Sequence, residues 1–319
     1  MNPSLAVPPL FAALAGARSI LIAGAGGGFD VYAGLPLAFA LQRTGAQVHL
    51  ANLSFSELVL LDRTDWVAEN VAAVTPGSAS TDWYFPERTL ARWLATQDLP
   101  STVYAFPPLG VDRLRAAYQH LVTSLDVDAI VLVDGGTDIL LRGDESNLGT
   151  PVEDITSLGA VAALDVPVKL VTCLGFGIDA HDGVTSVEVL ENLAALDREG
   201  GYLGVLSIPG TSREAELYRD AVAHAQAATP DRPSIVHGQI AAATRGDFGD
   251  VQFTRRTTGS SLFVNPLMAM YFTVDAAKLA ARCLYLDRLE NTWGRRQVTS
   301  RITAFREEIS PRIPRAYPH

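Results

Sequence analysis

The side chains richest in chemistry fall in one short stretch, Asp134-Gly135-Gly136-Thr137-Asp138. Two carboxylates bracket two glycines, whose missing Cβ lets the backbone turn sharply and come close to a ligand. Asp144, Glu145, Glu153 and Asp154 follow shortly after. Carboxylates crowded in this way repel one another unless water, a cation or hydrogen-bond donors compensate them. A second stretch, Gly175 to Gly183, adds Asp179, His181 and Asp182. Two chemistries suit such residues. A hard divalent cation (Mg²⁺, Mn²⁺ or Ca²⁺) takes oxygen ligands, with Asp134 and Asp138 as its candidates, and polarises a substrate oxygen. Without a metal, Asp179 and His181 can act as a general acid and base. Asp134, Asp138, Asp179 and His181 are therefore the candidate catalytic residues.

Strands and helices must position them. Ala129 to Val133 is an unbroken aliphatic run, which suits a strand covered on both faces. Arg18 to Ala23, with the aliphatic run Ile20-Leu21-Ile22, also reads as a buried strand. It leads into the glycine loop Gly24-Ala25-Gly26-Gly27-Gly28-Phe29-Asp30, a helix from Val31 to Thr44 that stops at Gly45, and a strand from Gln47 to Leu53. Gly24 and Gly26 have the spacing of a dinucleotide fingerprint. Phe29 stands where its third glycine belongs, and Asn52-Leu53-Ser54 replaces the ribose-binding acid, so NAD is not expected. The loop instead predicts backbone N–H groups facing an anion or a carbonyl; the plain alternative is a tight turn with no ligand. The candidate ligand contacts are Gly24, Gly26, Gly27, Gly28, Asp30, Asn52, Gly135, Gly136, Thr137 and His237.

Further along, helices are expected over Pro86–Thr96, Val111–Leu125, Val184–Leu196 and Asp275–Tyr285, and after Ser212. Another starts at Thr150-Pro151, with Thr150 as cap and Glu153 and Asp154 favouring the first turn. Strands are expected over Thr102–Phe106, Val166–Leu174, Tyr202–Ile208, Ser234–Val236, Ser261–Val264 and Met270–Thr273. Residues 54–77 show no clear period. Trp83-Tyr84-Phe85 reads as a satellite core, or as the wall of a substrate pocket. The alternation predicts an α/β fold: a doubly wound, mainly parallel Rossmann-like sheet with helices on both faces. Residues 1–290 form one domain in this reading. Residues 291–319 are a polar, basic C-terminal extension or a homo-oligomer contact. The polar residues Asp30, Asn52, Asp134, Asp138, Asp179, His181, Asp182 and His237 gather at strand carboxyl ends, where such sheets bind ligands.

Composition narrows the class. A chain of 319 residues with 48% apolar and 19% charged residues forms a large core and is not extensively disordered. The net charge is −10 and no basic run carries interleaved aromatics, so no nucleic-acid partner is expected. Cys173 and Cys283 have neither CxxC nor metal spacing, which fits a reduced, cytoplasmic setting. No apolar run suits a membrane span and no basic leader precedes Ala15. A GxSxG elbow and a P-loop lysine are both lacking.

Three segments carry a family resemblance: GAGGGFDVYAGLPL (24–37), VDGGTDILLRGDESNLGTPVED (133–154) and LGFGIDAHDG (174–183). The chain resembles the uncharacterised prokaryotic family called domain of unknown function eleven fifty-two over most of its length. The resemblance implies a Rossmann-like α/β domain and treats the glycine and aspartate loops as one unit; it implies no activity. The Asp-Gly-Gly-Thr-Asp turn also has a loose likeness to strand-end turns of calcium-dependent nucleoside hydrolases and of D-glutamate cyclases, from which no residue carries over. The expected function is an enzyme acting on a small polar metabolite (nucleoside, nucleotide or amino-acid-like) by hydrolysis, group transfer or elimination at an Asp/His site beside the glycine loop, with or without a divalent metal. The alternative is a non-catalytic sensor of a small molecule.

Overall fold

The computed structural model describes residues 6–254 and 262–316. In chain order the strands are β1 (Ser19–Gly24), β2 (Gln47–Leu53), β3 (Trp66–Ala68), β4 (Val71–Val74), β5 (Val103–Phe106), β6 (Ala129–Asp134), β7 (Val168–Cys173), β8 (Tyr202–Ser207), β9 (Gly249–Asp250), β10 (Phe263–Val264) and β11 (Met270–Asp275). The helices are α1 (Pro9–Leu14), α2 (Leu35–Gln42), α3 (Pro86–Thr96), α4 (Val111–Ser124), α5 (Pro151–Ala162), α6 (Ser186–Arg198), α7 (Arg213–Ala228), α8 (Ile235–Thr244), α9 (Ala276–Arg282) and α10 (Arg295–Glu308).

Nine strands form one mixed sheet in the order β3-β4-β5-β2-β1-β6-β7-β11-β8. β5, β2, β1, β6 and β7 run parallel through its middle. Antiparallel strands flank them on both sides. Every residue of β1 and β6 is buried, which accounts for their continuous aliphatic sequences. Alternate residues of these strands enter two separate cores. Leu21, Ala23, Ile130 and Leu132 pack with α4, α5, α6, α9 and α10. Ile20, Ile22, Val131 and Val133 pack with α1, α2, α3, α7 and α8. The period-2 alternation of a strand thus places helices against both surfaces of the sheet.

Most predicted elements are found within a few residues of their expected ends. The departures have physical causes. The helix expected from Val31 to Thr44 begins as a 3-10 turn, Asp30–Gly34, and becomes α-helical only at Leu35. Gly34 lies flat against Ile22 and Val133, and Pro36 in the first turn of α2 has no N–H to give a longer helix. The strand expected over Ser234–Val236 is instead the start of α8. The Ser234 hydroxyl accepts from the His237 N–H at 3.1 Å, an N-cap that overrides the β-branched pair Ile235-Val236. Residues 54–77 supply two 3-10 turns and the hairpin β3–β4, which turns at Asn70 with φ of 62°. Phe263 and Val264 pair with β9, while Ser261 lies outside the described residues.

In the C-terminal segment, α10 buries Val298, Ile302 and Phe305 in the same core as α5. Arg295 pairs with Glu153, and Arg306 donates to the carbonyls of Gly143 and Glu145 at 2.8 Å. Among the described residues, no helix is long and apolar enough to cross a membrane.

Candidate acidic site at the strand ends

Five aspartates from three strand-end segments and one helix converge beyond the carboxyl ends of β1, β6 and β7. Asp30 follows the glycine loop after β1, and Asp134 ends β6. Asp138 opens the next 3-10 turn, and Asp179 sits in the 3-10 turn after β7. The fifth is Asp154, on the first turn of α5. Ser157, one turn further on, donates to the Ala25 carbonyl at 2.8 Å and ties α5 to the glycine loop. Residues three apart share a helix face, so Asp154 points at the same loop. Asp134, Asp138, Asp154 and Asp179 are buried, and Asp30 is half-buried.

Backbone amides hold four of the five. Asp30 Oδ2 accepts from Gly26 N at 2.6 Å, and Asp134 Oδ1 from Gly136 N at 2.9 Å. Asp179 Oδ2 accepts from Thr137 N at 2.6 Å and its hydroxyl at 3.1 Å. Asp138 Oδ2 accepts from Thr150 N at 2.7 Å and its hydroxyl at 3.2 Å. Thr150 was expected to cap α5; its side chain serves Asp138 instead. Asp154 takes no hydrogen bond, and its Oδ1 is buried without a partner, as is Asp134 Oδ2. Among the described residues, no arginine, lysine or histidine pairs with any of the five.

The electrostatic result follows. Burial first, then mutual repulsion, raises every one of these carboxyl groups above the usual carboxylate range. For Asp30 burial outweighs the Gly26 hydrogen bond and brings the pKa to about 7. For Asp179 burial and the charge of Asp138 outweigh the Thr137 hydrogen bonds, again giving about 7. Asp138 is raised despite Thr150, chiefly by burial.

One carboxylate oxygen from each of Asp30, Asp134 and Asp154 lies within 4.8 Å of the others. Three such oxygens can share one cation, because Ca²⁺ and Mg²⁺ bind carboxylate oxygens at roughly 2.0–2.6 Å. Of the metal pair expected from sequence, Asp134 belongs to this trio and Asp138 stands beside it. Asp30 and Asp154 complete it. Asp154 escaped the sequence reading because acids in a helix's first turn already have an explanation in the helix dipole. Its spacing from Ser157 was the usable signal.

The glycines make room for the acids. A Cβ on Gly26 would stand 2.5 Å from Asp30 Oδ2 and 2.8 Å from Asp154 Oδ1. One on Gly136 would stand 2.5 Å from Asp179 Oδ1, and one on Gly149 would overlap Asp138. Five amides of the expected N–H row already have partners within the protein. The amides of Ala25, Gly26, Gly28, Asp30 and Val31 are already committed to Val133, Asp30, Leu53, Gly27 and Asn52. Gly24 lies against the Asn52 side chain. Asn52 is itself fully engaged: its amide donates to the Gly28 carbonyl at 2.7 Å and to buried Glu87 at 2.6 Å. Burial outweighs these bonds and brings Glu87 to about 7.

Two histidines were expected here. His181 is exposed on the turn Ile178–Asp182. His237 belongs to a helix rather than to a strand end, yet it borders the site. A Cβ on Gly135 would lie 3.2 Å from Asp30 Oδ1 and 3.6 Å from His237 Nε2. Nδ1 of His237 shares a 2.9 Å hydrogen bond with the Tyr218 hydroxyl, and Nε2 is buried without a partner. Burial lowers its pKa to about 3, so the ring is neutral. Of the aromatic triplet, Phe85 joins a small buried cluster with Leu58 and Leu61, Tyr84 borders the glycine loop, and Trp83 packs against Tyr84 and under the Arg232 guanidinium.

No curated protein matches the chain. A family model does, over residues 21–306, a span that includes all five aspartates and the glycines that seat them. On that match the chain belongs to the family described as protein of unknown function (DUF1152).

Proposed function

We propose that this protein is a metal-dependent enzyme of the cytoplasm that acts on a small polar metabolite at the carboxyl edge of a doubly wound, Rossmann-like sheet. The parallel strands in the order β5-β2-β1-β6-β7 support the Rossmann-like reading, since β1 and β6 then flank the point where the winding reverses. One observation carries the functional reading. Asp30, Asp134 and Asp154 bring three oxygens together from three separate elements, two of these residues retain a buried oxygen with no donor, and no cationic side chain among the described residues offsets them. A hard divalent cation supplies the missing charge and prefers all-oxygen donors.

In this reading Asp30, Asp134 and Asp154 would hold the cation, and when bound it would supply Lewis-acid activation of a substrate or water oxygen. Asp179 is the general base. Its Oδ2 is fixed by Thr137 while its Oδ1 stays unbonded, and a pKa of about 7 suits proton abstraction near neutral pH. Hydrolysis, group transfer and elimination all fit this arrangement. Chelator-treated protein should be given Mg²⁺, Mn²⁺ or Ca²⁺ and tested on nucleosides, nucleotides and amino acids. Turnover that appears only with a cation, and that falls roughly 10²–10⁴-fold in Asp179→Asn, is the expected result. Turnover indifferent to chelation contradicts it. Ligand-induced stabilisation with no turnover on any class points to a sensor instead.

A further inference from the structure

Beside the acids, Phe55 and Tyr84 lie on the glycine loop, and Trp83 stands next to Tyr84 with the Arg232 guanidinium over its ring at 5.3 Å. Phe55 is 47% exposed and Trp83 is 55% exposed. Neither belongs to any buried cluster of the described residues. The Phe55 ring lies directly on the loop: a Cβ on Gly27 would be 2.8 Å from its Cζ, and one on Gly28 would be 3.2 Å from its Cδ2. The Tyr84 hydroxyl meets the same spot, 3.1 Å from a Cβ on Gly28. Tyr84 in turn packs edge-on against Phe29 at 5.7 Å and against Trp83 at 6.3 Å. Single exposed aromatics are ordinary; a pair set on the same loop that seats buried acids is a candidate ligand surface.

Spacing links the two surfaces. Gly26 faces Asp30 and Asp154, and Gly27, the next residue, faces Phe55. The step between them is about 3.8 Å along the backbone. A ligand with oxygens on such a cation would sit beside the loop that carries Phe55 and Tyr84. We propose that the substrate is a nucleoside, with its sugar hydroxyls at the Asp30–Asp134–Asp154 cation and its base on Phe55 beside Tyr84. This rests on the cation site proposed above. An amino acid has hydroxyl or carboxyl oxygens but commonly lacks the planar ring. A nucleotide adds anionic phosphate next to five carboxylates, which costs Coulomb energy that a neutral nucleoside avoids.

Calorimetric titration of the full chain with Mn²⁺, and then with adenosine at saturating Mn²⁺, tests this on the parent, Phe55→Ala and Phe55→Tyr. Adenosine should bind the parent, bind Phe55→Ala about 5- to 150-fold more weakly, and be restored by Phe55→Tyr, while Mn²⁺ affinity stays the same in all three. Unchanged melting temperatures in both variants would show that the loop is intact. Mn²⁺ binding with no adenosine binding, or adenosine binding indifferent to Phe55→Ala, overturns the nucleoside assignment and spares the cation site. AMP binding more tightly than adenosine overturns it in favour of a nucleotide. Adenosine binding that depends on Phe55 without any Mn²⁺ binding keeps the nucleoside and removes the cation.

Discussion

At the scale of single residues, the five aspartates differ in how well they are satisfied. Asp154 is the extreme case, with no donor and a buried oxygen. Its charge is tolerable only when something else compensates it, so Asp154→Asn should stabilise the cation-free protein at pH 8. The gain should be about 1–3 kcal/mol, the usual cost of an unsatisfied buried polar group. Neighbouring carboxylates can accept from the new amide. Urea denaturation of parent and variant in chelator measures it, and a clear loss of stability would show that Asp154 is satisfied in a way the geometry does not suggest. His237 gives an independent check on burial. With a pKa of about 3 it should remain neutral from pH 5 to pH 8, so its ring ¹⁵N signals should not move over that range. A midpoint near 6.5 would mean that water reaches the ring.

At the scale of elements, glycine positions decide whether acids and backbone can share space. Gly26→Ala would drive a methyl into Asp30 and Asp154. A loss of about 1–3 kcal/mol is expected, with the cation site disrupted too, and thermal melts with and without Mn²⁺ check both. Gly45→Ala meets no neighbour, but its φ of 90° makes it a backbone control. The same comparison shows what was legible beforehand. β1 and β6 could be read because long aliphatic runs have one main explanation, a doubly covered strand. Asp134, Asp138 and Asp179 could be read because strand ends in parallel sheets are where polar loops collect. Asp154 could not, since its local role on α5 hides its long-range one. Ser234–Val236 misled because β-branched residues weigh toward strand while a one-residue cap weighs toward helix, and the cap prevailed. Glu87, 35 residues from Asn52, has no sequence signal, as their pairing exists only once α3 docks against the β2 end.

At the scale of the whole molecule, the buried acids set the dependence on pH. Their folded pKa values lie above the unfolded values near 4, so the folded protein holds more protons than the unfolded chain between about pH 4 and 7. Stability must then fall as pH rises through that window. Asp30, Asp179 and Glu87, each at about 7, place its upper end. His237 and His49, whose pKa values are lowered, act in the opposite sense below about pH 6.5, but fewer groups contribute. Chelator-treated protein should therefore melt higher at pH 5.5 than at pH 8, and a divalent cation should raise the melting temperature more at pH 8, where it displaces fewer protons. A melting temperature that climbs steadily from pH 5.5 to 8 without cation would remove the acidic cluster from the account. Asp30, Asp134 and Asp154 are proposed to bind one cation together. Calorimetric titration of Mn²⁺ into chelator-treated parent, Asp134→Asn and Asp154→Asn tests it most directly. One saturable site per chain in the parent, lost or at least tenfold weakened in both folded variants, is the predicted result; no binding by the parent, or equal binding by all three proteins, would contradict it.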